Sequence, residues 1–585
     1  MSKNSPDIES LSLGALNPDF DAATSKIISE KSHWLPQLNE RVSEWCSSIL
    51  VMETRQALKS RQFIWTYFVL LFSVGVWTLL ALTIGDNGYQ VGRELLFGYW
   101  VILGFPLGLI IPFSAYRSLA REFEDGTNQL ISITTMKPHQ IIFGKFGSAF
   151  LQMLTYLSVL APCICFTYLL RGISLSQISI GLMVCIGGSI CLTILGLFLA
   201  GVFRSRAMGV GTSVLFVLLL GWLYYIWCVF CESEISGQGS YITFDDQDVL
   251  LGMFGIFAFF GSSAGLLLVT ATSQISFPSN NRATPIRIAM FVQQTLFFAF
   301  VIGLVSTVFD ADMLWIMMIF VSHYWLVMGF LMIGESLTIS RRVQRTLPRS
   351  FFSRSAFSLL MPGAGRGFLF AVANVWACAI AIGLIGWFVG SRGLQGYLLG
   401  QVIAPFGGSR VFGWEECCGL LTCCLYVTWF LSVIYLVMRS FFGKSRGEWS
   451  TGIGPTISLV LGALLISVLS ICSIVVHQIL YQRDNRLSDL SSPLLLNWYW
   501  VVAEVFKGTS FQQIFNEHGV VAVALLLQAV VVIGFAFAFA SRELLVAPIP
   551  VPERVKIDSL KLPASNVPEG ESINEIFGEL KKNES

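Results

Sequence analysis

Charge is scarce in this chain. Asp, Glu, Lys and Arg together make up 12% of its 585 residues while hydrophobic residues make up 54%, and mean hydropathy is +0.70. A soluble domain carries about 25% charge to cover its surface, so a water-soluble globular fold is excluded. The formal net charge is only +1 and no domain is strongly basic, so nucleic acid is not an expected partner. The first 33 residues, beginning MSKNSPDIES, lack the basic-then-apolar pattern of a cleaved signal peptide, and the amino terminus is therefore expected to stay cytosolic. The 13 cysteines lie almost entirely in apolar runs, where a thiol packs as a small hydrophobe, so no disulfide framework is expected. "CCGLLTCC" (Cys417, Cys418, Cys423, Cys424) and "CVFC" (Cys228, Cys231) lie in or at the end of apolar runs, and they read as packing rather than metal or redox sites.

Two further absences concern energy. The apolar runs contain no Asp, Glu, Lys or Arg and only two histidines, His323 and His477, which read as hydrogen-bonding to neighbouring helices. Ion-coupled carriers place ionisable groups within the membrane, so a proton- or sodium-driven carrier is disfavoured. A phosphate-cradling G-x-x-x-x-G-K-[ST] loop is also missing: "MRSFFGKS" has Gly443, Lys444 and Ser445 but Met438 in place of the first glycine, and it comes after an apolar run rather than a strand. No catalytic residue, cofactor or metal is expected, and the chain is not expected to be an enzyme.

What is present is hydrophobic length. Twelve runs of about 20 residues are each long enough to cross the ~30 Å hydrocarbon layer as a helix: 64–84, 96–116, 146–170, 176–202, 209–230, 249–270, 288–309, 313–334, 367–390, 417–438, 455–478 and 519–540. The fold class is thus an all-α polytopic membrane protein with both termini cytosolic. With that orientation, 30 of the 37 Lys and Arg fall on cytosolic segments, and 15 of the 36 acids fall outside. This is the positive-inside pattern, and a multi-pass protein of the plasma (inner) cell membrane is expected.

The runs form two sets of six. Residues 1–40 read as a disordered cytosolic terminus, 41–62 as an amphipathic elbow helix with Val42, Trp45, Ile49 and Met52 near one face, 63–272 as a first transmembrane domain, 273–287 as a linker, 288–541 as a second transmembrane domain and 542–585 as a disordered tail. In each set the longest cytosolic loop comes after the second run, at 117–145 and 335–366. Gly104–Gly108, Gly261–Gly265 and Gly386–Gly390 read as close helix-packing pairs, and Pro106 as a kink in the second span.

The first of these loops is the most polar stretch of its region. Arg117, Arg121, Glu122, Glu124 and Asp125 prolong the second helix, Gly126 breaks it, and Thr127 caps the next. Leu130, Ile131 and Thr134 share one side of about two turns, and Pro138 suits the first turn of another helix. A short half-apolar helix held between two spans suits a groove in a soluble partner; an ordinary solvated loop is the alternative.

"REFEDGTNQLISITTMKPHQIIFGK" resembles the coupling-helix segment of type-2 ATP-binding-cassette (ABC) permeases, at Glu122, Glu124, Gly126, Thr127, Leu130, Thr134, Pro138, Ile141, Gly144 and Lys145. Gln129, Thr135 and Gln140 depart from that pattern. Upstream, "ILVMETRQALKSRQF" is similar to the family's elbow helix through Glu53, Arg55, Leu58, Ser60 and Arg61. The resemblance covers roughly residues 47–230. It implies an ABC type-2 exporter-like domain in the first half and a permease subunit, most often for export, driven by a separate ABC ATPase subunit at residues 124–137. Membrane lipids and either a second copy or an internal pseudodimer are the other implied associations.

The second loop lacks the Gly-Thr step and carries Arg341, Arg342, Arg345, Arg349 and Arg354. Residues 288–541 are therefore either a diverged second transmembrane half or an accessory bundle. A reading from another class is a membrane-anchored assembly or signalling scaffold without transport activity.

Overall fold

The computed structural model describes residues 48–84, 91–126, 137–169, 175–202, 206–235, 247–277, 280–307, 311–336, 339–345, 357–398, 414–442, 453–483, 492–501 and 511–544, with isolated positions between and after them. Among the described residues there is no strand, and twelve helices are long and apolar enough to cross a membrane. The chain is an all-α polytopic membrane protein. The amino-terminal segment up to Ser47, with Val42 and Trp45, and the tail from Val551 lie outside the described residues.

The helices are α1 (Ser48–Leu58), α2 (Arg61–Ile84), α3 (Val91–Phe105), α4 (Ile111–Glu124), α5 (Pro138–Leu169), α6 (Leu175–Val202), α7 (Arg206–Ile235), α8 (Gln247–Ile275), α9 (Ala283–Thr307), α10 (Ala311–Ile333), α11 (Arg341–Arg345), α12 (Ala364–Leu398), α13 (Trp414–Phe442), α14 (Ile453–Arg483) and α15 (Phe511–Leu544). A π-turn, Pro106–Ile110, joins α3 to α4 within one span. Packing divides the chain into two units, one of Met1–Ile275 with Ala289–Phe300 and one of Ser276–Ile288 with Val301–Ser585. The segment read as a linker is thus mostly helical at its edges, since α8 runs to Ile275 and α9 starts at Ala283.

In the first unit the second span is the hub. It packs on α2, α5, α6 and α7; α6 also packs on α5, α7 and α8, and α5 on α8. Leu95, Tyr99, Leu103, Leu107, Ile111 and Tyr116 of this hub are buried, whereas Phe68, Phe72 and Leu79 of α2 point outward as a lipid-facing surface allows. Pro106 has no N–H to give the preceding turn. The ladder breaks there, and Ile111 N–H donates to Pro106 O five residues back. Neighbouring helices supply donors around the break: Trp227 Nε1 to Trp100 O (3.1 Å), Tyr224 hydroxyl to Val101 O (3.2 Å) and Ser189 hydroxyl to Leu107 O (2.6 Å). Such bonds satisfy backbone oxygens where no water reaches. Gly104 of the first glycine pair faces the Trp227 indole, leaving no room for a Cβ there. Gly261 and Gly265 meet nothing within 4 Å among the described residues, so that pair closes no packing among them.

In the second unit α10 packs on α12, α13 and α14; α13 also packs on α12, α14 and α15, and α12 on α15. A 3-10 turn, Ser492–Leu496, with the residues after it, lies against α14 and α15. From there Trp498 and Tyr499 cover His323 of α10, with ring centroids 4.8 and 5.7 Å away. The His323 Nδ1 lies 2.8 Å from the Ile319 carbonyl of its own helix, so its nearest polar partner is not a neighbouring helix.

Candidate functional site

The loop read from sequence as the partner contact is described at both of its ends. Its centre, including Thr127, Leu130, Ile131 and Thr134, lies outside the described residues. At the first end α4 stops with Asp125 N–H bonded to Arg121 O at 2.8 Å, and Gly126 comes next at φ +70°. That left-handed backbone is costly for a residue with a Cβ, and it terminates a helix as glycine commonly does. At the other end Pro138 opens α5, and the Gln140 side chain reaches back to accept the Lys137 N–H at 3.0 Å. This is the returning half of a capping box, and it gives Gln140 a local role.

Behind these two ends lies a buried ionic cluster. Lys145, on the second turn of α5, has 2% of its side chain exposed. Its ammonium sits 2.7 Å from Glu53 Oε1 and 2.7 Å from Glu122 Oε1, and it donates to Ser118 Oγ at 2.8 Å. An ammonium has three N–H groups, and each has a partner. Ser118 Oγ in turn donates to Glu53 Oε2 at 3.3 Å. Glu53 belongs to α1, Ser118 and Glu122 to α4, and Lys145 to α5. One side chain thereby fastens α1, the helix entering the loop and the helix leaving it. Ser118 and Glu122 lie four residues apart and share a helical face.

Packing holds the same three elements. A Cβ at Gly144 would stand 2.8 Å from Ile49 Cγ2 and 3.3 Å from the Leu50 backbone nitrogen, so α1 lies directly on the α5 backbone. Ile49 faces this contact and is buried, while Met52, expected on the same face, is 58% exposed beside Arg55. After α1, the Ser60 hydroxyl accepts the Phe63 N–H at 3.1 Å and caps α2, with Arg61 as its first residue. Glu124 turns instead toward α7: its Oε1 is 3.4 Å from the Cβ position of Gly209, whose carbonyl accepts the Tyr116 hydroxyl at 3.0 Å.

The second unit holds a charge cluster that the sequence reading assigned to no site. Arg287 of α9 donates to Glu335 (2.8 Å), to Leu359 O (2.6 Å) and to Met361 O (2.5 Å). Glu335 also accepts the Gly363 N–H at 2.9 Å, and Glu543 of α15 accepts the Gly365 N–H at 2.8 Å. Two carboxylates thus occupy the positive end of α12. Glu543 further accepts from the Tyr435 hydroxyl (3.0 Å) and pairs with Arg439 (3.4 Å), while Arg366, fully buried, donates to the Glu543 carbonyl at 2.8 Å. Gly363, at φ +142°, and Gly365, whose Cβ position is 2.7 Å from the Glu543 carboxyl carbon, leave room for this clamp. The signal in the sequence is a row of charges just beyond the apolar runs, at Arg287, Glu335, Arg366, Arg439 and Glu543, around "PGAGRG".

Among the described residues no group of His, Cys, Asp or Glu is arranged to hold a metal, and Cys423 and Cys424 are buried with free thiols. No protein-family model matches the chain, no curated protein matches it, and no solved structure matches its fold.

Proposed function

We propose that the protein is the permease subunit of an ATP-binding-cassette transporter, moving a solute, in the export direction, with energy from ATP hydrolysed by a separate subunit. The chain sits in the cell membrane with both termini and the α4–α5 loop cytosolic, where that subunit docks. The observation that carries this reading is the Lys145 cluster. A docking loop transmits force only if its two ends are fixed to the spans, and Lys145 joins both ends to α1 through Glu53 and Glu122. An ordinary solvated loop has no need of a buried cation at its base, because burying an ammonium costs several kcal/mol unless it is fully paired. The apolar interiors of the spans, free of acids and bases, agree with an external energy source.

A Gly126→Val, Leu130→Asp double variant tests the reading. Valine at φ +70° strains the helix end, and aspartate removes the apolar contact. In cells the variant is expected to insert and accumulate at wild-type levels but to retain less than about a tenth of the copurifying ATPase, a loss of ~1.4 kcal/mol or more in binding. Equal recovery of an ATPase subunit by the two forms would refute the docking assignment.

A further inference from the structure

We propose that the buried Arg366 of α12 is the centre of an anion site that takes a phosphate group, carried by a lipid headgroup or free in solution. The charges around it do not balance. Within the second unit three guanidinium groups, of Arg287, Arg366 and Arg439, meet two carboxylates. Arg287 takes Glu335 at 2.8 Å and Arg439 takes Glu543 at 3.4 Å. Arg366 is left with no ion pair among the described residues, although it is fully buried. A charge taken out of water is costly unless it is paired, so the cluster is short of one negative group.

The hydrogen bonds show the same deficit. A guanidinium carries five N–H donors. Nη2 of Arg366 donates to the Glu543 carbonyl at 2.8 Å, but Nε and Nη1, with three of those donors between them, have no partner among the described residues. Nε of Arg287 and Oγ of Ser358, both enclosed, have none either. These groups belong to one cluster. The Arg366 stem lies beside Gly363, whose N–H is held by Glu335, the carboxylate paired with Arg287. Ser358 accepts the N–H of Met361, whose own carbonyl is held by Arg287. Two buried cations in one cluster repel each other, and an anion held with them offsets that repulsion.

Chemistry and position both favour phosphate. Guanidinium groups match phosphate oxygens with parallel, charge-assisted N–H bonds. The N–H groups of Gly363 and Gly365 are already taken by Glu335 and Glu543, so side chains hold the ligand. The cluster is built from the start of α9, the residues after α10, the start of α12 and the ends of α13 and α15. It therefore lies at one end of the unit's spans, where apolar runs give way to polar sequence. That is the level of lipid phosphates, and basic pockets between membrane helices there hold anionic headgroups. The cluster is not sealed, since the side chains of Arg439 and Glu335 are 33% and 24% exposed. Gly363 has its Cβ position 3.5 Å from both Arg366 Cδ and Glu543 Oε2, and it puts no side chain between them. A turn of the Arg366 side chain past Gly363 brings Nε and Nη1 to an entering phosphate.

Thermal unfolding of the full chain in nanodiscs, followed by tryptophan fluorescence, tests this with three probes: inorganic phosphate, chloride at equal ionic strength, and phosphatidylglycerol added to a phosphatidylcholine bilayer. The wild-type transition is expected to rise by several degrees with phosphate or with phosphatidylglycerol, but not with chloride. A rise with inorganic phosphate supports the site with a soluble ligand, and a rise with phosphatidylglycerol alone supports it with a headgroup. Arg366→Gln, which removes the charge, should abolish the response. Arg366→Lys keeps the charge without the planar fork and should need at least about ten times more of the same probe; it carries the test if the glutamine variant does not fold. No rise with any probe, an equal rise with chloride, or a response unchanged in a folded Arg366 variant overturns the proposal.

Discussion

Lys145→Met is expected to destabilise the first unit by roughly 3–5 kcal/mol, the cost of leaving buried charge without its partner. Methionine keeps the length and apolar stem of lysine, so packing against α1 and α4 changes little. What it removes is the ammonium between Glu53 and Glu122, each 2.7 Å away, in a site where the lysine side chain is 2% exposed. Two carboxylates then face each other without a cation. Thermal unfolding in detergent should show a large fall in the transition temperature. Adding Glu53→Gln and Glu122→Gln should restore most of it, because replacing a whole buried cluster by neutral groups is often close to neutral. A single Lys145→Met variant as stable as wild type would show that the cluster does not fasten the loop.

Arg287→Met should cost a similar ~3–5 kcal/mol in the second unit, through a different mixture of losses. The guanidinium holds Glu335 and two backbone oxygens, Leu359 O and Met361 O, and is itself 1% exposed. Arg287→Lys should recover only part of the loss. A lysine is a point charge, whereas the planar fork of arginine reaches the carboxylate and carbonyls together. The check is the same melt, with limited trypsin digestion reporting whether the arginine-rich segment after α10 becomes more accessible. Equal stability of the methionine and wild-type proteins would remove Arg287 as the anchor of that segment.

The twelve helices were legible in the sequence because hydrophobic length is a one-dimensional signal. The break at Gly126 and the restart at Pro138 were legible too, since a left-handed glycine and a missing N–H act on the chain locally. The meeting of Glu53 with Lys145 was not, although the family-like pattern contains both. They are 92 residues apart in sequence, and their contact depends on α1 lying against Gly144, which spacing alone does not reveal. The second cluster was less visible still. Arg366 and Glu543 each sit within a turn or so of an apolar run, where a charge ordinarily reads as a wet helix end, yet Arg366 is fully buried. Met52 failed for a related reason: helical periodicity gives a face, but not which edge of that face the neighbouring helix covers.

On the proposed reading this polypeptide holds no energy source and receives force at the α4–α5 loop from a nucleotide-hydrolysing subunit. What decides the matter is the ATP hydrolysis rate of the copurifying subunit in lipid nanodiscs, alone, with the wild-type chain and with the Gly126→Val, Leu130→Asp chain. A several-fold change in rate is expected with the wild-type chain and none with the variant. A rate that is the same in all three, or uphill solute movement by the chain reconstituted alone without ATP, would contradict the proposed mechanism.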